Sequence, residues 1–397
     1  MKSNYKKLGN YIRQIDERNN DGTLGEDNLY GISVTKEFII SHANLVGVTF
    51  DGYKVVAPKQ FAYIPDTSRR GDKIAISLNT FGEKIIVSSI CSVFEIIDEN
   101  ELLPEYLMLW FMRPEFDRYA RFMSNGSVRE VFDWDCMCSV ELPVPSLQEQ
   151  HKIIQDFHVI TDRLEILHKM NVNLTTQCCV NYQLMLNGFT EESDKKTLPE
   201  GWSIGSIGSY SDLKSGYAFK SEWWTNKGYK VIKIANITNN SIDLDSCDYV
   251  IEEHAKLAKI FISVPGDVFI AMTGATTGKI GILPFCKDKV VVNQRVGKFF
   301  LGKEPILKVP FLFATLLSSR VVQQLQPDGM AGSAQDNLSA DDIKNVEIVL
   351  PDTTTIEKFN VQNRSIIENI MANLAELRLM QKLLVLLLSK MTTKEGA

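Results

Sequence analysis

The sequence predicts an α+β fold: two globular α/β domains in a pseudo-two-fold repeat, separated by two long antiparallel, coiled-coil-like α-helices. One observation is a pair of stretches, Leu147 to about Asn187 and Thr354–Lys390, that contain neither proline nor glycine. A second is that the chain before each stretch repeats the same motifs in the same order. Because each repeat ends in a long helix, we expect the two helices to pack against each other.

The repeat has one register over much of its length. Pro104 lies 206 residues before Pro310, and the same offset relates six further pairs of residues. These are Gly126, Ser127, Val140, Glu141, Pro145 and Lys152 with Gly332, Ser333, Val346, Glu347, Pro351 and Lys358. We also match Tyr5–Ile12 with Trp202–Tyr210, and Gly71-Asp72 with Gly266-Asp267. The period is far too long for a solenoid and indicates a duplicated domain.

The elements of each half follow from local signals. Residues 38–64 and 85–97 are rich in Val, Ile, Phe and Tyr, which is typical of strands. Residues 104–123 predict a helix broken at Pro114, and 139–144 a strand. The second half has a helix at 309–318 and a strand at 345–350. The predicted segments are a first domain (1–146), a central spacer helix (147–188), a second domain (189–351) and a C-terminal spacer helix (352–397).

Both long helices carry an apolar seam with alternating steps of four and three residues. In the first helix the seam is Ile153, Phe157, Ile160, Leu164, Leu167, Asn171, Leu174 and Cys178. An offset of 210 places Ile367, Ile370, Leu374, Leu377, Leu384 and Leu388 on the second seam, so the second helix has about one extra turn. Asn171 then falls on Gln381. This polar pair either sets the register or is tolerated partly open to water.

Composition sets the broad class. The chain has 397 residues, a net charge of −6 and seven cysteines, an odd number that does not indicate a disulfide framework. No signal peptide opens the sequence, and the strongly apolar run Leu383–Leu388 is too short to span a bilayer. We expect a cytoplasmic protein without a membrane partner, and we expect this run to be buried on several sides.

Basic residues are concentrated locally although the whole chain is acidic. The segments Lys214–Lys233 and Lys279–Lys298 each hold five basic residues against one acid, and the first also contains five aromatic residues. A smaller basic cluster lies between Lys54 and Lys73. Such patches are typical of nucleic-acid binding, and a solvated basic face is the alternative.

Signatures of catalysis fail on inspection. The stretch Gly274–Lys279 (GATTGK) is one residue too short for a phosphate loop, and no apolar strand precedes the G-x-S-x-G match at Gly201–Gly205. Cys136 and Cys138 lack a second ligand pair for zinc, so no metal site is predicted. The sequence contains neither an amino-methyltransferase signature nor a convincing nuclease cluster. Recognition is the function that remains.

Ordered motifs in the second half give the chain a close resemblance to the specificity (S) subunits of type I restriction–modification enzymes. They are LPEGW at Leu198–Trp202, KSGYAF at Lys214–Phe219, YKVIKIANI at Tyr229–Ile237, PGDVFIAMTGATTGKIGI at Pro265–Ile282 and VNQRVG at Val292–Gly297. The first half is more divergent: it lacks LPEGW, and Ser88-Ser89-Ile90 replaces the NQR triplet.

The resemblance implies a subunit without its own catalytic site. Each globular domain would be a target-recognition domain that reads one half of a bipartite, asymmetric double-stranded DNA site, and the helices would set the gap. The chain would dock two methyltransferase subunits and two restriction/translocase subunits. It would hold no cofactor, because S-adenosylmethionine, ATP and magnesium belong to those partners.

Basic and amide side chains at motif positions are the candidate DNA contacts, because lysine and arginine pair with phosphate while Asn, Gln and Arg pair with base edges. In the first domain they are Lys54, Lys59, Arg69, Arg70 and Lys73. In the second they are Lys214, Tyr217, Lys230, Lys233, Asn236, Thr276, Lys279, Gln294 and Arg295. For Asn236 and Gln294 the alternative is to satisfy buried backbone groups, and for Tyr217 it is a core position.

Two other function classes stay open at this point. A relative or fragment of a fused restriction–methyltransferase enzyme would methylate or cleave DNA by itself. A coiled-coil scaffold without a DNA role would show no sequence-dependent binding even with partner subunits present.

Overall fold

The computed structural model describes residues 5–41, 49–67, 71, 73–124, 130–186, 198–238, 240–325 and 337–391. The chain divides into two compact units, residues 1–162 with 381–397, and residues 163–380. Each unit therefore contains one globular domain and a part of both long helices. The predicted segment boundaries remain predictions, because the units cut across the helices instead of ending at them.

The described residues of unit 1 form ten short strands, which precede or flank three short helices. Its strands are β1 (Tyr5–Lys7), β2 (Ile12–Ile15), β3 (Tyr30–Ile32), β4 (Phe38–Ile40), β5 (Lys54–Val56), β6 (Phe61–Ile64), β7 (Ala75–Leu78), β8 (Ile85–Val87), β9 (Ser92–Ile96) and β10 (Glu141–Pro143). Its helices are α1 (Pro104–Phe111), α2 (Pro114–Met123), α3 (Trp134–Cys138) and the first part of the long helix α4 (Leu147–Met185). The break at Pro114 is confirmed.

Unit 2 has the same kinds of elements in a similar order. Its strands are β11 (Ser203–Ser206), β12 (Asp212–Ser215), β13 (Tyr229–Ile232), β14 (Ile237–Thr238), β15 (Asn240–Ile242), β16 (Asp248–Val250), β17 (Val268–Ala271), β18 (Ile280–Ile282), β19 (Val290–Val292), β20 (Val296–Phe300) and β21 (Glu347–Leu350). Its helices are α5 (Ile207–Tyr210), α6 (Glu252–Leu257), α7 (Val309–Leu316), α8 (Ser319–Leu325), α9 (Ala340–Lys344) and most of α10 (Thr353–Lys390).

Strand pairing confirms the internal repeat. The opening strand of each half pairs antiparallel with the strand that leads into the long helix, β1 with β10 and β11 with β21. The strand order β2-β9-β6-β7 in unit 1 matches β12-β20-β17-β18 in unit 2. Each sheet packs its apolar face into a core, around Phe61, Phe94 and Phe111 in unit 1 and around Val268, Ile270 and Phe299 in unit 2.

The match of Gly71-Asp72 with Gly266-Asp267 is wrong. Gly266 precedes β17, whose counterpart is β6, so the matching residue is Lys59. Both residues have positive φ, 67° at Lys59 and 91° at Gly266, a conformation that glycine adopts without strain and lysine rarely adopts. A lysine at this position concealed the match. Gly71 instead lies between β6 and β7.

Both long helices are confirmed. The helix α4 has 39 residues and α10 has 38, each roughly 60 Å long at 1.5 Å per residue. Every predicted seam residue is buried or half-buried. Within unit 2 the helices run antiparallel: the side chain of Arg163 bonds Glu376 (2.6 Å), and further along α4 the side chain of Asn181 bonds that of Asn363 (2.6 Å).

Of the two alternatives for Asn171 and Gln381, a polar position open to water describes Gln381, while the expectation that the run Leu383–Leu388 is buried on several sides is wrong. Gln381 is exposed, and the partner of Asn171 is Asn373, whose Nδ2 donates to the Asn171 Oδ1 at 2.9 Å. The repeat offset makes Gln381 the equivalent of Asn171. In the antiparallel pair, however, Asn171 lies opposite a different residue, Asn373. The run Leu383–Leu388 also has an open side, because Val385 and Leu386 are 65% and 57% exposed, while Leu388 joins the core of unit 1.

Among the described residues, no helix is long and apolar enough to cross a membrane. All seven cysteines are free thiols. In the same part of the chain, no group of three or more His, Cys, Asp or Glu residues could hold a metal ion.

Candidate nucleic-acid interface

Four connecting segments of unit 2 lie side by side, and we refer to them as the loop cluster: Lys214–Tyr217, Lys233–Asn236, Met272–Lys279 and Asn293–Arg295. Backbone hydrogen bonds join them, from Tyr217 to Val292 (2.9 Å), from Met272 to Arg295 (3.1 Å) and from Asn293 to Ile232 (2.9 Å). At Gly216 a Cβ atom would lie 2.4 Å from the Asn293 carbonyl oxygen, so only glycine permits this approach. Motifs far apart in sequence thus form one continuous surface.

Four of the residues predicted to contact DNA have polar side chains on the outside of the loop cluster. Lys214, Lys279, Gln294 and Arg295 are all exposed. The Lys214 side chain is 53% exposed and lies 3.5 Å from the Asp212 carboxylate, a surface pair that holds it weakly. The backbone of Gln294 is fixed, since its amide donates to the Asn293 Oδ1 at 2.7 Å, while its side chain faces outward.

An aromatic group supports one edge of the loop cluster. Tyr217 is half-buried, with its ring centroid 5.0 Å from Phe219 and 6.5 Å from Trp223. The Lys233 ammonium lies 3.9 Å above the Trp224 ring and also pairs with Asp248. Tyr217 therefore has a packing role, as its alternative interpretation proposed, and Lys233 is available only in part.

Asn236 and Lys230 have structural environments that leave little for a ligand. Asn236 is 4% exposed; its Oδ1 accepts from the Lys233 amide (2.8 Å) and its Nδ2 donates to the Ser246 hydroxyl (2.9 Å). Lys230 is 6% exposed, and its ammonium donates to the Leu244 carbonyl. A side chain that is buried and satisfied is poorly placed to contact DNA, so both positions are corrected to internal roles.

The basic patch Lys279–Lys298 is also smaller than its sequence suggests. Lys298 is buried, and its ammonium lies 2.7 Å from the Asp267 carboxylate and 2.9 Å from the Ile262 carbonyl oxygen. Burial raises the pKa of Asp267, and the adjacent Lys298 only partly offsets this. Lys298 therefore belongs to the interior of the sheet.

The turn that contains Thr276 has unused hydrogen-bonding capacity. The hydroxyl oxygens of Thr273 and Thr276 are buried and have no hydrogen-bond partner among the described residues. Buried polar atoms are normally paired, so unpaired hydroxyls in an outer loop are suited to a polar ligand. The same turn, GATTGK, connects the antiparallel strands β17 and β18 and leads into no helix, so it is not a phosphate loop.

In unit 1 the three predicted residues that the structure describes do not form one patch. Lys54 is 8% exposed and pairs with Asp16 at 3.4 Å, which corrects it to an internal role. Lys59 pairs with Glu99 at 2.6 Å, and this hydrogen bond raises the Lys59 pKa. Lys73 is exposed at the opposite end of the β6–β7 hairpin. Arg69 and Arg70 lie outside the described residues.

Topology nevertheless gives Lys73 a counterpart in unit 2. The connection between β6 and β7, which holds Arg69, Arg70 and Lys73, corresponds to the connection between β17 and β18, which holds Thr276 and Lys279. The short connection between β8 and β9 corresponds to that between β19 and β20, which confirms that Ser88-Ser89-Ile90 takes the place of the NQR triplet.

Sequence reasoning missed one charged group completely. Arg378 on α10 bonds both Asp245 and Asp288, two loop residues of the globular part of unit 2. No motif marks these residues, since their distance in sequence conceals the contact. Arg378 follows the seam residue Leu377, and the local pattern of α10 does not mark it.

Comparison with known proteins gives one consistent result. A family model described as the type I restriction modification DNA specificity domain matches residues 10–176 and again residues 199–383. The specificity subunit of the type I restriction enzyme MjaVIII of Methanocaldococcus jannaschii is 25% identical over 285 residues, which cover 68% of this chain and 64% of that protein. This chain therefore spans less than two thirds of that relative.

Two further proteins show similar features. The MjaIX specificity subunit of the same organism is 22% identical over 314 residues, covering 76% of this chain and 71% of that protein. The crystal structure of the type I restriction–modification S subunit from M. genitalium matches with a TM-score of 0.56 and 13% identity, covering 99% of this chain and 96% of that chain. At this identity the match shows a shared fold.

Proposed function

The chain belongs to the family of type I restriction–modification DNA specificity domains, and on that premise we propose that it is the non-catalytic subunit that reads the DNA target. Each globular domain reads one half of a bipartite, asymmetric site in double-stranded DNA. The observation that carries this proposal is the repeat itself: one family domain occurs twice, and each match ends within a helix of nearly forty residues.

The loop cluster is the proposed reading surface of the second domain. Lys214, Lys279 and Arg295 supply positive charge for phosphates, and Gln294 and Arg295 have the donor groups that distinguish bases in the major groove. The free hydroxyls at Thr273 and Thr276 are further candidates. In the first domain we assign the corresponding role to Arg69, Arg70 and Lys73, which share one inter-strand connection. Lys59 is a weaker candidate because Glu99 neutralises it.

The antiparallel helices serve as the spacer between half-sites. Half-sites on one face of a duplex lie about one helical turn, roughly 34 Å, apart, which a rod of roughly 60 Å can bridge. We further propose that the chain acts in the cytoplasm and docks two methyltransferase subunits and two restriction/translocase subunits. S-adenosylmethionine, ATP and magnesium would bind those partners, where the chemistry takes place.

Co-expression with a methyltransferase subunit from a type I system, followed by mapping of methylated bases, tests this function. We expect one methylated motif made of two short specific parts with a fixed gap. Methylation or cleavage by the chain alone would favour a fused restriction–methyltransferase enzyme. A stable complex that produces no new methylated motif would favour a scaffold without a DNA role and would overturn the proposal.

A further inference from the structure

Arg378 connects the second long helix to the globular part of unit 2. Its Nε and Nη2 donate to the two carboxylate oxygens of Asp245 at 2.9 and 2.5 Å, and its Nη1 donates to Asp288 at 2.5 Å. Asp245 lies between β15 and β16, and Asp288 lies between β18 and β19. One guanidinium on α10 therefore holds two separate loops of the sheet.

Lys230 completes a neutral group of four charges. Its ammonium lies 3.6 Å from Asp245 and 3.5 Å from Asp288. The side chains of Lys230, Arg378 and Asp288 are 7%, 20% and 23% exposed, so water screens these charges much less than it screens a surface pair. Burial raises the pKa of Asp288, but Arg378 and Lys230 more than offset this, and the Asp288 pKa lies below its ordinary value. Asp288 therefore stays ionised near neutral pH.

A continuous set of contacts leads from this group to the loop cluster. Asp243 fixes the turn that carries Asp245, since its Oδ1 accepts from the amides of Asp245 (3.0 Å) and Ser246 (3.3 Å). The hydroxyl of Ser246 accepts from the Asn236 side chain at 2.9 Å. The turn that ends at Asn236 lies against the turn that begins at Gly274. A Cβ atom added at Gly274 would be 3.4 Å from the Ile234 side chain.

The chemistry of the contact favours a role in orientation. A bidentate guanidinium–carboxylate pair has a narrow range of geometries, in contrast to the apolar contacts of the same helix, which permit small rotations. Buried ion pairs contribute little net stability compared with apolar packing, and in some proteins buried polar or charged groups set a unique geometry.

We propose that Arg378 is a positioning residue that fixes the orientation of the second domain's loop cluster on the spacer helix, and that it thereby limits which gap lengths between half-sites are accepted. This inference rests on the proposed function. Helix length sets the preferred gap, and the contact of Arg378 with Asp245 and Asp288 sets how strictly it is kept. Arg378 acts indirectly, through its contacts with Asp245 and Asp288.

Methylation mapping with the assembled methyltransferase complex tests the proposal. The targets are matched sites whose gap is correct, one base pair shorter or one base pair longer. In Arg378→Gln we expect both half-site sequences to be unchanged and methylation at the altered gaps to rise about tenfold relative to the correct gap, the scale of one charge-assisted hydrogen bond. Arg378→Lys keeps the charge but loses the fork, so it should fall between Arg378→Gln and the wild type.

Arg364→Gln is the matched control, because Arg364 lies on the same helix and pairs only with Glu368 within that helix, at 2.7 Å, among the described residues. It should keep the wild-type gap. If Arg378→Gln impairs folding, Asp245→Asn removes the bidentate ion pair with Arg378 from the loop side. A bipartite motif in the wild type together with an unchanged gap distribution in Arg378→Gln and Asp245→Asn would overturn this inference alone. Absence of any bipartite motif in the wild type would instead overturn the proposed function.

Discussion

Replacing Lys298 by Met tests whether this residue is a buried structural lysine or a DNA contact. Lys298 was part of a basic patch in the sequence, but its ammonium lies within 2.7 Å of Asp267, 2.9 Å of the Ile262 carbonyl oxygen and 3.2 Å of the Ser263 hydroxyl. Methionine has a similar length and no charge. The variant therefore leaves the Asp267 carboxylate in the interior, where the Val264 amide, at 2.9 Å, is its remaining described donor.

The expected loss of stability follows from this burial. The Lys298 and Asp267 side chains are 7% and 5% exposed. Breaking a buried ion pair from one side costs about 3–5 kcal/mol, because the remaining charge is not compensated. The double variant Asp267→Asn/Lys298→Met should recover most of this, since asparagine carries no charge and can still accept from the Val264 amide.

The loss should also depend on pH. Burial already raises the Asp267 pKa above its ordinary value of 3.8, and removal of Lys298 raises it further. A carboxyl group whose folded-state pKa is raised destabilises the fold fully above that pKa and less as the pH falls through it. The deficit of Lys298→Met should therefore be largest at neutral pH and shrink as the pH falls below the raised Asp267 value.

Hydrogen exchange of the full chain, followed by mass spectrometry of peptides from β17 and β20, measures the effect locally. We expect faster exchange in both strands for Lys298→Met and near wild-type exchange for the double variant. Unchanged exchange in Lys298→Met, combined with a weaker salt dependence of DNA binding by the assembled complex, would show that Lys298 contacts phosphate and would refute the reasoning.

Two further predictions concern the helix pair and the loop cluster. Asn373→Leu leaves the Asn171 side chain without its partner and should lower the free energy of unfolding, measured in urea, by about 1–3 kcal/mol. The double variant Asn171→Leu/Asn373→Leu should recover that loss. Equal losses in both variants would contradict the pairing. Arg295→Ala should weaken DNA binding by the assembled complex and reduce the slope of the log binding constant against log salt concentration by about 1. Arg364→Ala is the control and should leave the slope unchanged. An unchanged slope in Arg295→Ala would exclude a phosphate contact at this residue.

The fold could be predicted from the sequence where local signals repeat. Two uninterrupted helices, the breaks at Pro114 and before Pro145, and the offset of 206 residues are all local patterns, and the structure has the corresponding elements. The match at Gly71 failed because Lys59 adopts the left-handed conformation without glycine. A sequence motif records which residue types occur, whereas the equivalence of these two turns depends on their backbone conformation.

The site was predictable to the level of segments but not of side chains. The motifs around Tyr217, Thr276 and Gln294 were recognised in the sequence, and the structure brings them together in one loop cluster. Residue type alone could not distinguish the exposed Arg295 from the buried Lys230. The sequence does not show whether a basic side chain faces a ligand or an internal carboxylate. Only the paired acids reveal the difference, and they lie more than ten residues away in the chain.

The asparagine contacts relate the duplication to the helix pair. Asn171 contacts Asn373 and Asn181 contacts Asn363, and both pairs of residue numbers add up to 544. The same sum places Leu167 opposite Leu377, and these two leucines are equivalent under the repeat offset of 210. Both are buried. The register of the pair therefore centres on equivalent leucines, whereas Asn171 meets a residue whose own repeat counterpart is Arg163. Two copies of one helix would place identical residues symmetrically about this centre. Here both asparagine contacts lie on one side of it, so the pair distinguishes its two ends, as the proposed reading of an asymmetric target requires.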